Sequence, residues 1–425
     1  MKKLCFCFQM HAPYRLKRYR FFEIGQDHYY YDDMQTEEHL NWLVTTSYLP
    51  LAKTLLEMIR LSKGKFHCAL AISGTTLELF EMYYPEMIDV LKELADSKCV
   101  EFVATPYAHS LSAQYSETEF EEQMNMHAAK LQDVFGVKSN TLCNAELLYS
   151  DDIAALAQKL GYKTLMIEGA KHLLSWKSPN YLYHSCVSPK QSLLLRNMHI
   201  SDELSFHFSN YNHPNYPMDA EKFANQLVAL PEGEDLINIW MGAETFGIIQ
   251  PAHTGIFDFL KALPYYALER EMSFMTPSEV AKHFTAKDVI VAPYPLTWTG
   301  ESKDISVFCG NDLQQEALQK LYAVAERVHL CEDKMLKTDW LQLQDVNSFH
   351  YMNHIDRGYS NFDSAYDAFI NYMNILSDFL QRVEEQYPTT IENEELNSLL
   401  KTIHNQEKEI NLLNEKIKQL KKKGK

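Results

Sequence analysis

An α/β fold built on a parallel sheet is predicted by two features of the chain: short apolar runs alternate with amphipathic helical stretches, and most of these runs end beside an ionisable side chain. Seven runs have strand character, at 4–8, 66–72, 100–104, 141–144, 164–167, 193–196 and 236–241. Between them, 37–61, 116–135, 151–160 and 220–230 carry helical periodicity. Such alternation fits either a closed barrel or an open doubly wound sheet. The run ends separate the two. His11, His109, Glu146, Glu168, Asp202 and Glu244 each follow a different run. In a β/α barrel all strand ends open on one mouth, whereas an open sheet uses only those at its switch point. A barrel with a sugar-like or other polar substrate above it is therefore expected. No glycine-rich phosphate loop follows any run, so nucleotide binding has no support.

Beyond residue 300 the pattern changes to long amphipathic, aromatic-rich helices at 313–336 and 365–383. The expected organisation is a barrel over 1–300, a helical domain over 301–390 and a terminal helix over 391–425. That last stretch repeats Leu396, Ile403, Ile410 and Ile417 with Leu399, Leu413 and Leu420 three residues later, interrupted by Gln406. Ile at a and Leu at d predict a parallel coiled coil, and with it a homodimer. The alternative is a single amphipathic helix folded back on the body. The lysines at 416–425 read as a solvated tail.

The chain has 425 residues, 46% of them hydrophobic, with 40 Lys+Arg against 57 Asp+Glu, a net charge of −17. This excludes a disordered polymer and argues against nucleic acid as a partner. The eight cysteines are scattered without a CxxC, as buried thiols of a cytoplasmic protein would be. The run 4–8 is broken by Gln9 and His11 and lacks a cleavage site, so it reads as a strand rather than a signal peptide. No run approaches the ~18 apolar residues of a membrane span.

Two carboxyls stand out as chemistry, Glu146 and Asp202, each after a strand and among polar neighbours. Glycosidic bond cleavage needs such a pair: one acid to protonate the leaving oxygen, one carboxylate to attack the anomeric carbon or stabilise its charge. The structural alternative is that such a carboxyl only caps the next helix. Trp176, Trp240 and Trp298 could stack on sugar faces or simply fill the core. Asp304 fits a loop reaching the mouth from the helical domain, and Tyr107 a wall of the site. His350 and His354 have i, i+4 spacing, but no carboxylate accompanies them and they lie away from the strand ends, so no metal is expected.

The chain resembles the α-amylase type of glycoside hydrolase family 57 over almost its whole length. The resemblance is carried by Gln9-Met10-His11 with Pro13 to Leu16, Tyr107 to Ser110, Glu146 with Tyr149 to Asp152, and Glu168-Gly169-Ala170 with Trp176 to Tyr181. Further matches are Leu193 to Asn197 with Ser201-Asp202, and Glu244 to Gly247 before Thr254 to Leu260. It implies an incomplete (β/α)7 barrel followed by a helical domain, acting on α-1,4-glucans by a retaining mechanism without metal or other cofactor. It matches Glu146 to the nucleophile and Asp202 to the general acid/base and puts His11 against sugar hydroxyls, with His109 and Tyr107 beside it, whereas Trp176, Trp298 and Asp304 are candidates for sugar contact on their residue types alone. Glu168 and Glu244 would orient substrate or the Asp202 proton.

The departures cluster around the expected subsites. Ala12 stands where relatives have Gln, Ala145 precedes Glu146 where they have Thr, Thr105-Pro106 replaces Glu-Thr, and Phe308 replaces Trp. Met-Asp-Tyr-Glu-Thr-Phe-Gly-Glu-His becomes Met241-Gly242-Ala243-Glu244-Thr245-Phe246-Gly247-Ile248-Ile249, losing an acid, an aromatic ring and two polar side chains. Three readings follow: an α-amylase-like hydrolase, a 4-α-glucanotransferase in which a sugar replaces water as acceptor, and a weak or inactive carbohydrate-binding protein.

Overall fold

The computed structural model describes residues 1–387 and five helical positions beyond them, 399, 402, 406, 410 and 413. The heptad pairing and the lysine tail expected from sequence otherwise lie outside the described residues.

Among the described residues ten strands occur in chain order: β1 (Lys3–Met10), β2 (Cys68–Ile72), β3 (Val100–Val103), β4 (Thr141–Cys143), β5 (Thr164–Glu168), β6 (Leu182–Ser185), β7 (Ser192–Arg196), β8 (Leu236–Gly242), β9 (Ser273–Phe274) and β10 (Asp288–Ile290). All seven predicted runs are strands. They pair parallel in two arcs, β8–β1–β2–β3 and β4–β5–β7. The arcs meet at two narrow seams, Ala104 with Leu142 and Arg196 with Asn238. Sequence periodicity misses the other three strands. β6 is antiparallel to β7, β10 extends β6, and β9 adds two residues beside β1. They are short and lack a long apolar run, so nothing local marks them.

Strand parity divides the residues between two environments. Cys5 and Cys7 of β1, Ala69 and Ala71 of β2, Cys143 of β4, Met166 of β5, Leu194 of β7 and Trp240 of β8 form one apolar cluster inside the barrel. Their neighbours Leu4, Phe6, Phe8, Leu70, Ile237 and Ile239 belong to a larger cluster beneath the surrounding helices. Small side chains inside and bulky ones outside suit a narrow barrel wrapped by helices, and they explain why the strands read as continuous apolar runs. Toward the C-terminal strand ends the inward positions become polar, with Gln9 on β1, Glu168 on β5 and Arg196 on β7. The chemistry sits on top of this apolar plug.

Helices over 33–61, Glu117–Phe135, Asp151–Lys159, Ala220–Val228 and Ala365–Gln386 lie where periodicity places them. The stretch 313–336 does not form one helix. It divides into Asp312–Tyr322, Ala325–Leu330 and Lys334–Leu343, and the last of these starts where the Asp333 side chain accepts hydrogen bonds from the Met335 and Leu336 N–H groups. His350 and His354 do not share a helical face, since the helix Val346–His350 ends between them. The helical region packs on the loop after β1 through Asp378. This buried carboxylate accepts from Tyr30 Oη at 2.6 Å, His28 Nδ1 at 2.8 Å and the Gly25 N–H at 2.6 Å. Six cysteines are buried, Cys309 is intermediate and Cys186 is exposed, which departs from the all-buried expectation.

Candidate active site

The site begins at the end of β1. Gln9 shares the inward parity of Cys5 and Cys7, and its amide nitrogen lies 3.1 Å from His109 Nε2. His11, two positions on, is held from both sides: Nδ1 is 2.8 Å from Ser73 Oγ and Nε2 is 2.7 Å from Asp345 Oδ2. Its ring stacks on that of His109 with centroids 4.2 Å apart. Asp345 comes from the helical region, where it also caps the helix Val346–His350 through the Asn347 N–H.

Glu146 follows β4 in the short turn Ala145–Leu147, opened by the Asn144 side chain accepting from the Ala145 N–H. His109, Glu146 and Leu147 have φ of 51°, 53° and 52°. Left-handed backbone at three non-glycine residues is costly and concentrates at functional sites. It aims both side chains inward. His109 Nε2 lies 2.9 Å from Glu146 Oε1, and Trp298 Nε1 donates to Oε2 at 2.7 Å. Burial opposes charge on Glu146, but the His109 hydrogen bond and charge, with His350 and Trp298, outweigh it and hold the carboxyl below its usual range. His109 is itself lowered, by burial and by the charge of His11, against the opposing pull of Glu146 and Asp345.

Glu244 follows β8. Its Oε1 is hydrogen-bonded to the Tyr48 hydroxyl. Burial pushes its carboxyl up to about 7, and the charge of Glu146 adds to this while Tyr48 and His109 oppose it. His11, His109, Glu146, Trp240, Glu244 and Trp298 line one cavity of about 140 Å³ that is open to solvent.

The other predicted residues lie around this cavity rather than on its wall. Arg196, buried at 1% exposure, donates to Glu168 Oε2 at 3.1 Å, to Asp202 Oδ1 and to the Trp240 carbonyl. Its guanidinium lies 5.5 Å from the centre of the Trp298 ring. Glu146 and Asp202 are thus linked through Trp298 and Arg196. Glu168 is fully buried, and desolvation raises it to about 7 against the pull of Arg196. Tyr107 is buried off the cavity wall, its hydroxyl donating to Glu78 at 2.5 Å. Trp176 is 85% exposed. Asp304 accepts from the Ser306 N–H at 2.8 Å, and its carbonyl accepts from Thr297 Oγ1 at 2.6 Å, closing the loop that carries Trp298.

Sequence reasoning missed Tyr48, Asp345, Asn347, Tyr351 and Tyr359. No local pattern marks them, because they come from helices and loops remote from the strand ends. As for metals, Glu119, Glu122 and His329 have ligand-like spacing among the described residues. Both oxygens of Glu119 are already taken by Gln123, Gln344, His329 and Trp340, so the group reads as a structural network.

The model of glycosyl hydrolase family 57 matches residues 5–293. The chain belongs to this family. A curated Methanocaldococcus jannaschii protein, provisionally named an α-amylase, is 31% identical over 406 residues, covering 90% of this chain and 85% of that one. Among solved structures, a family 57 branching enzyme from Thermococcus kodakaraensis aligns with TM-score 0.69 at 14% identity, covering 93% of this chain and 94% of the other. A 4-α-glucanotransferase from Thermococcus litoralis aligns with TM-score 0.66 at 13% identity, covering 89% of this chain and 60% of that longer chain. These two share the fold, a (β/α)7 barrel with a helical region. Among the described residues no helix is long and apolar enough to cross a membrane.

Proposed function

We propose that this family 57 member cleaves or transfers α-linked glucosyl units with retention of configuration, using Glu146 as nucleophile. The observation that carries this reading is the setting of Glu146: a carboxylate kept ionised by His109 and Trp298, on a strained turn, facing an open cavity lined by histidine, tryptophan and a second carboxyl. A retaining reaction uses such a group to form a covalent glycosyl intermediate, which water or an acceptor sugar then releases. The α-glucan as substrate is supported by the name of the curated relative and the titles of the structural neighbours. The resemblance assigns the acid/base role to Asp202, whose carboxylate is paired with Arg196 beside the cavity. Eight unpaired cysteines support a cytoplasmic setting.

Product analysis on a panel of maltooligosaccharides and glycogen tests the reading. Shorter products indicate hydrolysis, and longer and shorter ones together indicate transfer. Glu146→Gln abolishes both. One observation favours a second reading, a carbohydrate-binding protein with little turnover: Asp202 does not line the cavity. Wild type and Glu146→Gln that are equally inert, yet equally retarded in a glucan affinity gel, establish that second reading.

A further inference from the structure

A corner of two aromatic rings opens at the edge of the cavity, where the helix after β1 meets the helical region. Trp42 lies on the helix Asp33–Leu43, and Tyr359 on the loop between the helices Val346–His350 and Ala365–Gln386. Their ring centroids are 5.3 Å apart at an interplanar angle of 74°. Both rings keep surface open to solvent, with Trp42 37% and Tyr359 47% exposed. His39, one helical turn before Trp42, stands against both, its ring 5.6 Å from that of Trp42 and 6.5 Å from that of Tyr359. His39 and Tyr359 line the cavity together with Glu146, so the corner is continuous with the site.

The corner is fixed from both sides. Buried Arg15 donates to the Tyr359 carbonyl at 3.0 Å and to the Tyr351 hydroxyl at 2.7 Å, and Asn361 Nδ2 donates to Gln35 Oε1 at 2.7 Å, which ties the loop to the chain after β1. The turn that follows Trp42 seats on the loop after β8, where Ser47 Oγ donates to the Ala243 carbonyl at 2.7 Å. Rings held in place beforehand lose little freedom when a ligand arrives. Burial pushes His39 down to about 3, with the charges of Arg15 and His11 adding to it, so its imidazole is neutral. A neutral imidazole has one donor and one acceptor, and neither has a hydrogen-bond partner among the described residues. That pair matches a sugar hydroxyl, which both gives and takes a hydrogen bond, while the open ring surfaces match the C–H face of a pyranose.

We propose that Trp42, Tyr359 and His39 form a subsite for one glucosyl unit of an α-glucan, with the pyranose against the rings and a hydroxyl on the His39 imidazole. The proposal rests on the glycoside reading above and adds a place for the glucan chain outside the reacting centre. A unit held there is remote from the bond that changes, so its binding is the same in the ground and transition states and acts on KM rather than kcat. Chain length is the signature: an oligosaccharide that reaches from Glu146 to the corner binds more tightly than one a unit too short.

The test is calorimetric titration of Glu146→Gln, which should hold glucan without turning it over, with the series from maltose to maltoheptaose. Affinity is expected to rise in a step at one chain length. Trp42→Ala in that background should remove the step, weakening only the longer oligosaccharides by ~3–10-fold, the worth of one aromatic contact. Trp42→Phe, which keeps an apolar ring, should retain most of the step, and His39→Ala should shrink it. Circular dichroism verifies folding of each variant. With Glu146 intact, Trp42→Ala should raise KM for maltoheptaose by the same factor. The proposal is overturned, and the glycoside reading left standing, if affinity climbs without a step, if Trp42→Ala keeps the step, or if it weakens every length equally, as a distortion of the whole site would. If neither Glu146→Gln nor wild type binds or cleaves any of the series, the glycoside reading itself fails and the proposal with it.

Discussion

Two buried glutamates in this protein accept hydrogen bonds from the same kinds of partner, one histidine and one tryptophan indole, yet only one is placed for chemistry. Glu146 takes His109 at 2.9 Å and Trp298 at 2.7 Å. Glu119 takes His329 and Trp340, each at 2.7 Å. In both cases burial opposes the charge and the histidine overcomes it, leaving the carboxyl below its usual range. The difference is in what remains. Glu119 also accepts from Gln123 and Gln344, each at 2.8 Å, on the regular helix Glu117–Phe135, so its lone pairs are used up in joining the barrel to the helical region. Glu146 has two donors, sits at φ 53° and keeps 15% of its side chain exposed to the cavity. A charged buried group is reactive where some of its valence is left free and the backbone aims it at empty space.

The largest expected effect comes from exchanging the two charges for amides. Glu146→Gln should lower turnover of maltooligosaccharides by ~10³-fold or more with little change in melting temperature, measured by reducing-end release and calorimetry. Glu119→Gln should do the opposite, costing about 3–4 kcal/mol of stability in denaturant titration while leaving kcat/KM of the surviving fold near wild type. If Glu119→Gln proves as inactive as Glu146→Gln at full folding, the contrast between the two is wrong. The indoles form a milder version. Trp298→Phe removes a donor to a charged group, worth about 1.5–3 kcal/mol, and should appear as a ~10–100-fold loss in kcat/KM, whereas Trp340→Phe should lose a similar amount in stability alone.

Smaller still is the effect of pH. Glu146 must be ionised to attack, so activity should fall on the acid side only below the ordinary carboxylate range. Because the Glu119 carboxyl is lowered on folding, its stabilising contribution is present above its unfolded value and lost as pH falls through the folded one. The acid unfolding curve of Glu119→Gln should therefore be flatter than that of wild type, read by circular dichroism between pH 5 and pH 2.

The barrel was legible because its strands are buried on both faces and stand out as short apolar runs, and because polar residues recur at their ends. His11, His109, Glu146 and Glu244 were found by that recurrence and share the cavity. Glu168 and Asp202 were found by the same rule but end up on Arg196, because parity on β7 points a guanidinium inward between them. Asp345 was not legible at all: it lies 334 positions from the histidine it holds. Helix breaks such as the one at Asp333 depend on a single cap within an otherwise periodic stretch.

Sequence by itself determined the period of each segment, the polarity of the strand ends and membership of the family, since these depend on side-chain spacing and identity alone. Only the tertiary structure decided which carboxyls meet in one cavity, which is saturated with donors and which is pushed up by burial. Hydrogen bonding and desolvation act over a few ångströms, and the groups that supply them to Glu146 and Glu244 come from β1, the helices after it, the loop at Trp298 and the helical region. Their proximity is a product of packing, and no stretch of chain records it.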